Sequence, residues 1–190
     1  MTETLPPNQE TINEFVIAAH HDLHKVKQML AGEPLLLNQK AQWQETPIQA
    51  ATHVGNQTIV EYLLAEGAPL DICTAVMMGK REEIAAMLRE DPTSIRARGA
   101  HNLPLLYYAT IYDRVDIAEL LLAAGADINA GAGSNTALHG AASFGQANIA
   151  RWLIDHGADI VAKDFNSKTP REVAVERGHM TIADLISDES

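Results

Sequence analysis

Apolar residues recur along the chain as pairs of short helical stripes, separated by glycine and polar turns. The clearest example runs from Gly133 to Asp164 and reads GSNTALHGAASFGQANIARWLIDHGADIVAKD. Thr136 predicts a helix start, and Gly145 and Gly157 fall where a chain that leaves a helix favours a left-handed residue. The stripe of the second helix consists of Ile149, Leu153 and Ile154. Because one stripe is too narrow to bury itself, the pattern predicts a helix-turn-helix unit that needs neighbours.

The same unit recurs with a period near 33 residues. Leu103 begins LPLLYYA one period before Thr136, Thr169 begins TPREVA one period after it, and Thr46 begins TPIQAATHVG. The outer helices end alike, at Met29-Leu30, Leu63-Leu64, Met87-Leu88, Leu121-Leu122 and Leu153-Ile154. A T-P-L-H-x-A start at this period is the signature of ankyrin repeats, and the chain resembles that family from about residue 12 to residue 187.

The resemblance implies an all-α ankyrin repeat solenoid of about six helix-turn-helix units with short β-turn or hairpin fingers. The expected units are about 12–40, 41–68, 69–97, 98–130, 131–163 and 164–187, and we expect them to form one domain. The first and last units, which lack one neighbour each, are expected to act as caps. Residues 1–11 are expected to form a flexible tail, and residues 188–190 a second one.

Two stretches depart from the repeat. Pro69 leads almost directly into the next helix, which predicts that one finger is absent and that a notch separates the second and third units. In the fourth unit, Leu103 and Leu106 stand where threonine and histidine are usual, and the spacing suggests an extra residue around Ile111 to Asp113. Two interpretations remain open for the fourth unit: local repacking, or an enlarged aromatic binding surface.

The composition of the chain argues against several classes of function. A net charge of -11 argues against nucleic acid as the main ligand, because such binding begins with lysines and arginines on one face. The single cysteine, Cys73, cannot form an internal disulfide and has apolar neighbours that favour a buried packing role. No stretch approaches the roughly 20 apolar residues that span a bilayer. We therefore expect a cytoplasmic monomer without a membrane partner.

A search for catalytic chemistry finds no reaction centre, so neither an enzyme nor a cofactor is expected. Histidine gives the one candidate cluster, formed by His20, His21 and His24 with Asp22, since a pair such as His20 and His24 can hold a metal ion on one continuous helix. A helix reversal expected near Asp22 breaks that requirement, and no metal site is predicted. By resemblance to the family, His139 is expected to fix a turn through hydrogen bonds to backbone and threonine groups.

Resemblance also implies that finger tips and exposed inner-helix positions recognise a protein partner. Several residue types that are enriched at binding hot spots fall at these positions. The expected partner-binding residues are Trp43, His53, Met77, Met78, Arg98, His101, Tyr107, Ile111, Tyr112 and Phe144.

These features favour a non-enzymatic protein-protein interaction module that acts as an adaptor, inhibitor or assembly factor. The partner's identity does not follow from the repeats, because each unit varies its surface independently of the scaffold. The alternative hypothesis is a nucleic-acid-associated or stress-response factor that contacts phosphate through basic finger residues. Those residues are Arg96, Arg98, Lys163 and Lys168.

Overall fold

The computed structural model describes residues 6–187, apart from the side chain of Ser187. Within these residues the regular structure is helical, without a β-strand, and the twelve α-helices follow one another in six sequential pairs. They are α1 (Gln9–Ala19), α2 (Leu23–Gly32), α3 (Pro47–His53), α4 (Gln57–Ala65), α5 (Ile72–Met78), α6 (Arg81–Glu90), α7 (Leu105–Thr110), α8 (Val115–Ala123), α9 (Ala137–Phe144), α10 (Ala147–Asp155), α11 (Pro170–Arg177) and α12 (Met180–Ser187). Short 3-10 helices span Pro34–Asn38, Pro92–Arg96 and Ala100–Asn102. The expected all-α class is confirmed.

Helix α1 begins earlier than the expected start at Ile12. Asn8 caps it by accepting a hydrogen bond from the Thr11 amide, so residues 9–11 are helical and do not belong to a tail. Residues 6–8 of the expected first tail lie before the helix without regular structure, whereas residues 1–5 and the expected second tail, residues 188–190, lie outside the described residues.

Packing divides the chain into two compact units, Met1–Thr74 and Ala75–Ser190. We call them the N-terminal and the C-terminal unit. In the N-terminal unit, α1 packs against α2 and α3, and α3 packs against α4. Its core contains Phe15, Val16, Leu36, Ile59 and Leu63, all of which are buried.

In the C-terminal unit the inner helices α7, α9 and α11 pack side by side. Helix α10 contacts its partner α9 and the outer helices α8 and α12. The largest core side chains include Tyr108, Leu106, Ile117, Leu121 and Leu138. In both units neighbouring helices bury the apolar stripes, as the apolar pattern predicts, except in α6, where Ile84 alone is buried.

Threonine starts three of the inner helices. The side chains of Thr46, Thr136 and Thr169 each accept a hydrogen bond from the amide of the third helical residue, whose own side chain accepts a bond from the threonine amide. At α9 the third residue is His139, and its Nε2 also donates to the Lys168 carbonyl over 3.0 Å. The hydrogen-bonding role expected for His139 is therefore confirmed.

Successive helix pairs within each unit are joined by a recurring side-chain hydrogen bond. The residue before the second helix of a pair donates to a carbonyl near the end of the preceding inner helix. The four bonds are Asn56 to His20 at 3.3 Å, Arg114 to Met77 at 2.8 Å, Gln146 to Ile111 at 3.0 Å and His179 to Ala142 at 2.7 Å. Each bond satisfies a carbonyl that a helix end leaves without an intrahelical partner.

The fourth helix pair corrects the expected register. Pro104, and not Leu103, occupies the cap position of α7, and Pro104 to Asp113 spans as many residues as Thr136 to Gly145. The expected insertion around Ile111 to Asp113 is therefore wrong. Asp113 takes the left-handed conformation (φ 56°) that Gly145 takes (φ 75°). The step from Asp113 to Thr136 is one residue shorter than the step from Gly145 to Thr169, so the two units differ in length after Asp113, in the outer half of the unit.

The connection between α4 and α5 is short, as Pro69 indicates. Residues 66–71 alone join the two helices, and Asp71 caps α5 by accepting a 2.7 Å hydrogen bond from the Thr74 amide. Cys73 in α5 is buried, as expected, and burial raises the pKa of its thiol. None of the helices in the described part of the chain is long and apolar enough to cross a membrane.

Candidate functional site

Three fingers share one tight turn. In each, the first residue's amide donates to the carbonyl four residues later, in the pairs Ala41 to Glu45, Gly99 to Leu103 and Asp164 to Lys168. The fourth residue of each turn has a positive φ: Gln44, Asn102 and Ser167. The tip residues Trp43 and His101, both expected to bind a partner, thus occupy equivalent positions in their fingers.

Trp43 is an exposed aromatic side chain that is held in place. Its side chain is 41% exposed, and its indole Nε1 donates a 2.8 Å hydrogen bond to Oε2 of Glu45. The finger is also tied to α1, because the Gln42 amide donates to the Asn13 side chain over 3.0 Å. The indole is therefore oriented before any partner arrives.

Glu45 is a carboxylate buried under the finger, between the ends of α1 and α3. It is only 4% exposed. Nδ1 of His53 lies 2.9 Å from its Oε1, and Nε2 of His20 lies 3.7 Å from its Oε2. The two imidazole rings meet edge to face, with centroids 5.1 Å apart. His20 is the C-cap residue of α1 and His53 is the last residue of α3, so the packing of these two helices brings the rings together.

Opposing effects act on the Glu45 carboxyl. Burial raises its pKa, but the contact with His53, the hydrogen bond from Trp43 and the charges of His53 and His20 outweigh burial and leave the pKa lowered. The 2.9 Å contact with His53 has the length of a hydrogen bond, yet among the described residues no donor is aligned on Oε1. We therefore describe that contact as a close approach of His53 to Glu45 that leaves one lone-pair direction of Oε1 open.

The structure separates the histidines that lie close together in the sequence. Helix α1 ends at Ala19 and α2 begins at Leu23, so the expected reversal near Asp22 is confirmed. His20 points to the finger, whereas His24 lies with Asp22 and Lys25 in a different pocket. His20 therefore groups with Glu45 and His53 rather than with its neighbours in sequence.

Three of the expected partner-binding residues are buried in the C-terminal unit. Met77 is 0% exposed, Ile111 4% and Tyr107 9%, so the expectation that these side chains lie at the surface is wrong. Tyr107 is the third residue of α7, as His139 is of α9. A side chain at this position faces the neighbouring helix pair. Its ring packs edge to face against Tyr108 and Phe144, and burial raises its pKa to about 12. Packing, rather than a larger binding surface, accounts for the aromatic residues of α7.

The other expected residues remain accessible to different degrees. Arg98 and His101 are exposed, Met78 and Phe144 are half-buried, and His53 is half-buried beside Glu45. Tyr112 is 40% exposed, and the guanidinium of Arg114 lies over its ring at 5.6 Å.

The basic finger residues are partly neutralised by acidic neighbours. Lys163 pairs with Glu172 at 3.2 Å, and Lys168 pairs with Glu176 at 2.6 Å. Arg96 and Arg98 are exposed. Because two of the four cations already face carboxylates, this set offers phosphate less positive charge than its sequence suggests.

Sequence reasoning missed Glu45 and the grouping of His20 with His53. One signal was present, since the two histidines are one repeat period apart and so end successive inner helices. Glu45 gave no comparable signal, because the position before a helix cap is expected to face solvent.

Comparison with known proteins agrees with the helix pairs and capping boxes. A model of ankyrin repeats in three copies matches residues 15–132, and one of ankyrin repeats in many copies matches residues 131–174. The chain is 28% identical over 153 residues to human SH3 and multiple ankyrin repeat domains protein 2, covering 75% of this chain and 8% of that protein. It is 25% identical over 176 residues to a transient receptor potential cation channel subfamily A member 1 homolog of Caenorhabditis elegans, covering 88% of this chain and 14% of the channel.

A third relative is ankyrin repeat and SOCS box protein 11 of Danio rerio, which is 29% identical over 132 residues, or 70% of this chain and 36% of that protein. The chain thus spans only a minor part of these relatives. Ankyrin repeats are generally protein-protein interaction modules. The family models together match most of the chain, and the chain belongs to the ankyrin repeat family.

Proposed function

We propose that the chain is a non-enzymatic interaction module that binds one protein partner through its N-terminal unit. The binding surface is the side formed by the inner helices α1 and α3 and by the finger at residues 41–45. We call it the Trp43 surface, and its members are Ile17, Gln42, Trp43, His53 and Val54. Binding through this surface would make the chain an adaptor, inhibitor or assembly factor.

The orientation of Trp43 carries this proposal. Tryptophan is among the residues that contribute most at protein interfaces, because its large rigid ring buries much area at a small entropic cost. Trp43 combines 41% exposure with a hydrogen bond to a buried carboxylate. A side chain fixed in this way loses little further freedom when a partner covers it.

Ile17 extends the apolar part of the surface. It is 51% exposed in the middle of α1, although its neighbours Val16 and Ala18 are buried. Asn13, one turn before Ile17, bonds the finger, and His20, one turn after it, contacts Glu45. Residues at this spacing share one helix face, so Ile17 lies on the finger side of α1.

An affinity-capture experiment tests the proposal. Tagged wild-type chain is used to capture partners from the source cell, and each recovered protein is purified and its Kd measured. Trp43→Ala should weaken the binding of the true partner by about 30-fold or more, the range of a hot spot. Phe165→Ala is the matched control, because Phe165 is a 67% exposed aromatic residue of another finger.

Circular dichroism first confirms that both variants keep the helical content of the wild type. Equal affinities of the Trp43→Ala and Phe165→Ala chains for every recovered partner would refute the placement of the site at Trp43.

A further inference from the structure

The cluster of Glu45 with His20 and His53 combines groups that transition metals bind. Each of the three residues offers one ligand atom, and these atoms lie within 4.8 Å of one another. Two imidazoles and a carboxylate form a donor set suited to Zn²⁺ and to other divalent transition metals. From this geometry we propose that the N-terminal unit holds a divalent transition-metal site of the zinc type, with His20, Glu45 and His53 as its protein ligands.

Burial of Glu45 points to a bound cation. The equivalent position before α7 is Leu103, which is 3% exposed, so the fold accepts an apolar residue there. A carboxylate at such a position costs desolvation energy that an apolar residue does not. Oε1 has no aligned hydrogen-bond donor among the described residues, which leaves a lone pair that a metal ion can use.

The hydrogen bonds of His20 at Nδ1 leave Nε2 of the neutral ring available to a metal ion. Its Nδ1 lies 3.0 Å from the Val16 carbonyl and 3.2 Å from the Ile17 carbonyl, and carbonyl oxygens only accept, so Nδ1 carries a proton. In the neutral ring Nε2 then has a lone pair, and it faces Oε2 of Glu45 at 3.7 Å. Two acceptors oppose each other there, an arrangement that a cation between them relieves. An Nδ1 bonded to a backbone carbonyl is also the usual support of a zinc-binding histidine.

His53, the last residue of α3, is the third proposed metal ligand. Its Nδ1 lies 2.9 Å from Oε1 of Glu45 and 3.2 Å from the Gln49 carbonyl. The Gln49 carbonyl only accepts, so Nδ1 carries a proton in the metal-free chain, and metal binding requires that proton to move to Nε2, which leaves the charge of a neutral ring unchanged. In a tetrahedral zinc site, bonds of about 2.0–2.2 Å place ligand atoms about 3.3–3.5 Å apart. The His20 and His53 nitrogens lie 3.7 Å and 2.9 Å from different oxygens of Glu45, and one ligand atom from each of the three residues lies within 4.8 Å of the other two.

Solvent can supply the remaining ligand. The side chains of His20 and His53 are 25% and 14% exposed, so water reaches the edge of the cluster. Three protein ligands with one open position are typical of zinc sites that exchange a water molecule or take a further ligand.

Zinc titration of the metal-free full chain tests the proposal. We expect one Zn²⁺ to bind per chain, measured by competition with a chromophoric chelator, and one Co²⁺ to give the visible absorption of a low-symmetry site. Trp43 supplies a second readout, since its indole is hydrogen-bonded to Glu45. In a Trp152→Phe background it is the only tryptophan, and Co²⁺ bound beside it should quench its fluorescence.

Variants separate this cluster from the pair of histidines that lie close in sequence. His53→Ala removes a ligand of the cluster only, and His24→Ala removes a ligand of the His20 and His24 pair only. We expect His53→Ala to weaken zinc binding by at least about tenfold, and His24→Ala to leave it unchanged. Glu45→Gln keeps the shape of the side chain and should weaken binding similarly, so the test holds even where His53→Ala fails to fold.

Circular dichroism of each metal-free variant shows that a loss of binding is not a loss of structure. Absence of stoichiometric binding by the wild type would refute the site. So would binding that survives both His53→Ala and Glu45→Gln, or that depends on His24 instead.

Discussion

At the scale of single residues, the chain places unusual side chains at positions where repeats are otherwise uniform. Gly55, Gly79, Gly145 and Gly178 adopt a left-handed conformation between the two helices of a pair, and Asp113 takes the same role. Aspartate tolerates this conformation better than most residues, because its short side chain can bond nearby backbone groups. Asp113 does so across the repeat: its carboxylate accepts bonds from the Ile149 amide at 2.8 Å and the Asn148 side chain at 2.7 Å.

Asp113 thus caps α10, whose own cap residue Gln146 makes no side-chain cap bond. Asp113→Ala removes that cap and leaves alanine in a left-handed conformation, so we expect the free energy of unfolding in urea to fall by about 2 kcal/mol. Asp113→Gly loses the cap but relieves the strain, and should cost less than about 1 kcal/mol. Glu119→Ala, an exposed change in the middle of α8, is the control. Equal losses for the two Asp113 variants would contradict this account.

His139 makes stability depend on pH. Burial lowers its pKa, against the opposing effects of the Lys168 carbonyl and the charges of Asp164 and Asp159. Because the folded chain binds this proton less readily than the unfolded chain, its contribution is present above about pH 6.5 and is lost as the pH falls. We expect the free energy of unfolding to decline from pH 7 to pH 5 more steeply in the wild type than in His139→Gln.

Glutamine is a suitable replacement for His139, since Gln49 occupies the equivalent position in the capping box of α3. Urea titrations of both chains across this pH range give the comparison. Parallel pH dependences of the two chains would show that His139 does not contribute.

At the scale of elements, close approach of inner helices requires small residues. Gly140 in α9 is such a residue, because a Cβ there would overlap Thr110 Oγ1 and lie 2.9 Å from Tyr107 Cδ2. Both neighbours are buried in α7. Gly140 therefore sets how closely α7 and α9 can pack.

Gly140→Ala should destabilise the chain by about 1–3 kcal/mol through overpacking, although alanine has the higher helix propensity. Ser143→Ala, a half-buried change in the same helix, should stay within about 0.5 kcal/mol of the wild type. Urea denaturation measures both. A Gly140→Ala chain as stable as the wild type would mean that α7 can move away from α9 at little cost.

The helix pairs were predictable from sequence because each depends on a local apolar stripe, a threonine cap and a glycine turn. The register of the fourth pair was not, since Pro104 replaces the threonine and Asp113 replaces the glycine that mark the unit elsewhere. With both markers absent, a fixed period pointed to Leu103. The burial of the aromatic residues of α7 was not predicted for the same reason, because a register that begins at Leu103 places Tyr107 at a surface position.

The His20, Glu45 and His53 cluster was harder to predict for a different reason. Its members come from α1, a finger and α3, and only the packing of these elements brings them together. Spacing in the sequence indicates only ligands that are neighbours in the chain, such as His20 and His24. The repeat period itself relates His20 to His53 and was the better guide.

At the scale of the molecule, the chain is an acidic ankyrin repeat protein with a net charge of -11. In the C-terminal unit Tyr107 and Tyr108 of α7 are buried in packing, whereas the N-terminal unit exposes an oriented tryptophan. The central claim is therefore that a protein partner covers Trp43. The proposed metal site stands apart from this claim, because zinc titration requires no partner.

The fluorescence of Trp43 tests the claim most directly. In a Trp152→Phe chain Trp43 is the only tryptophan, and its 41% exposure makes it accessible to iodide. Addition of the purified partner, which must lack tryptophan or carry a non-fluorescent analogue, should shift the emission to shorter wavelength and reduce quenching by iodide. Unchanged emission and quenching at saturating partner, with binding shown independently, would contradict the account.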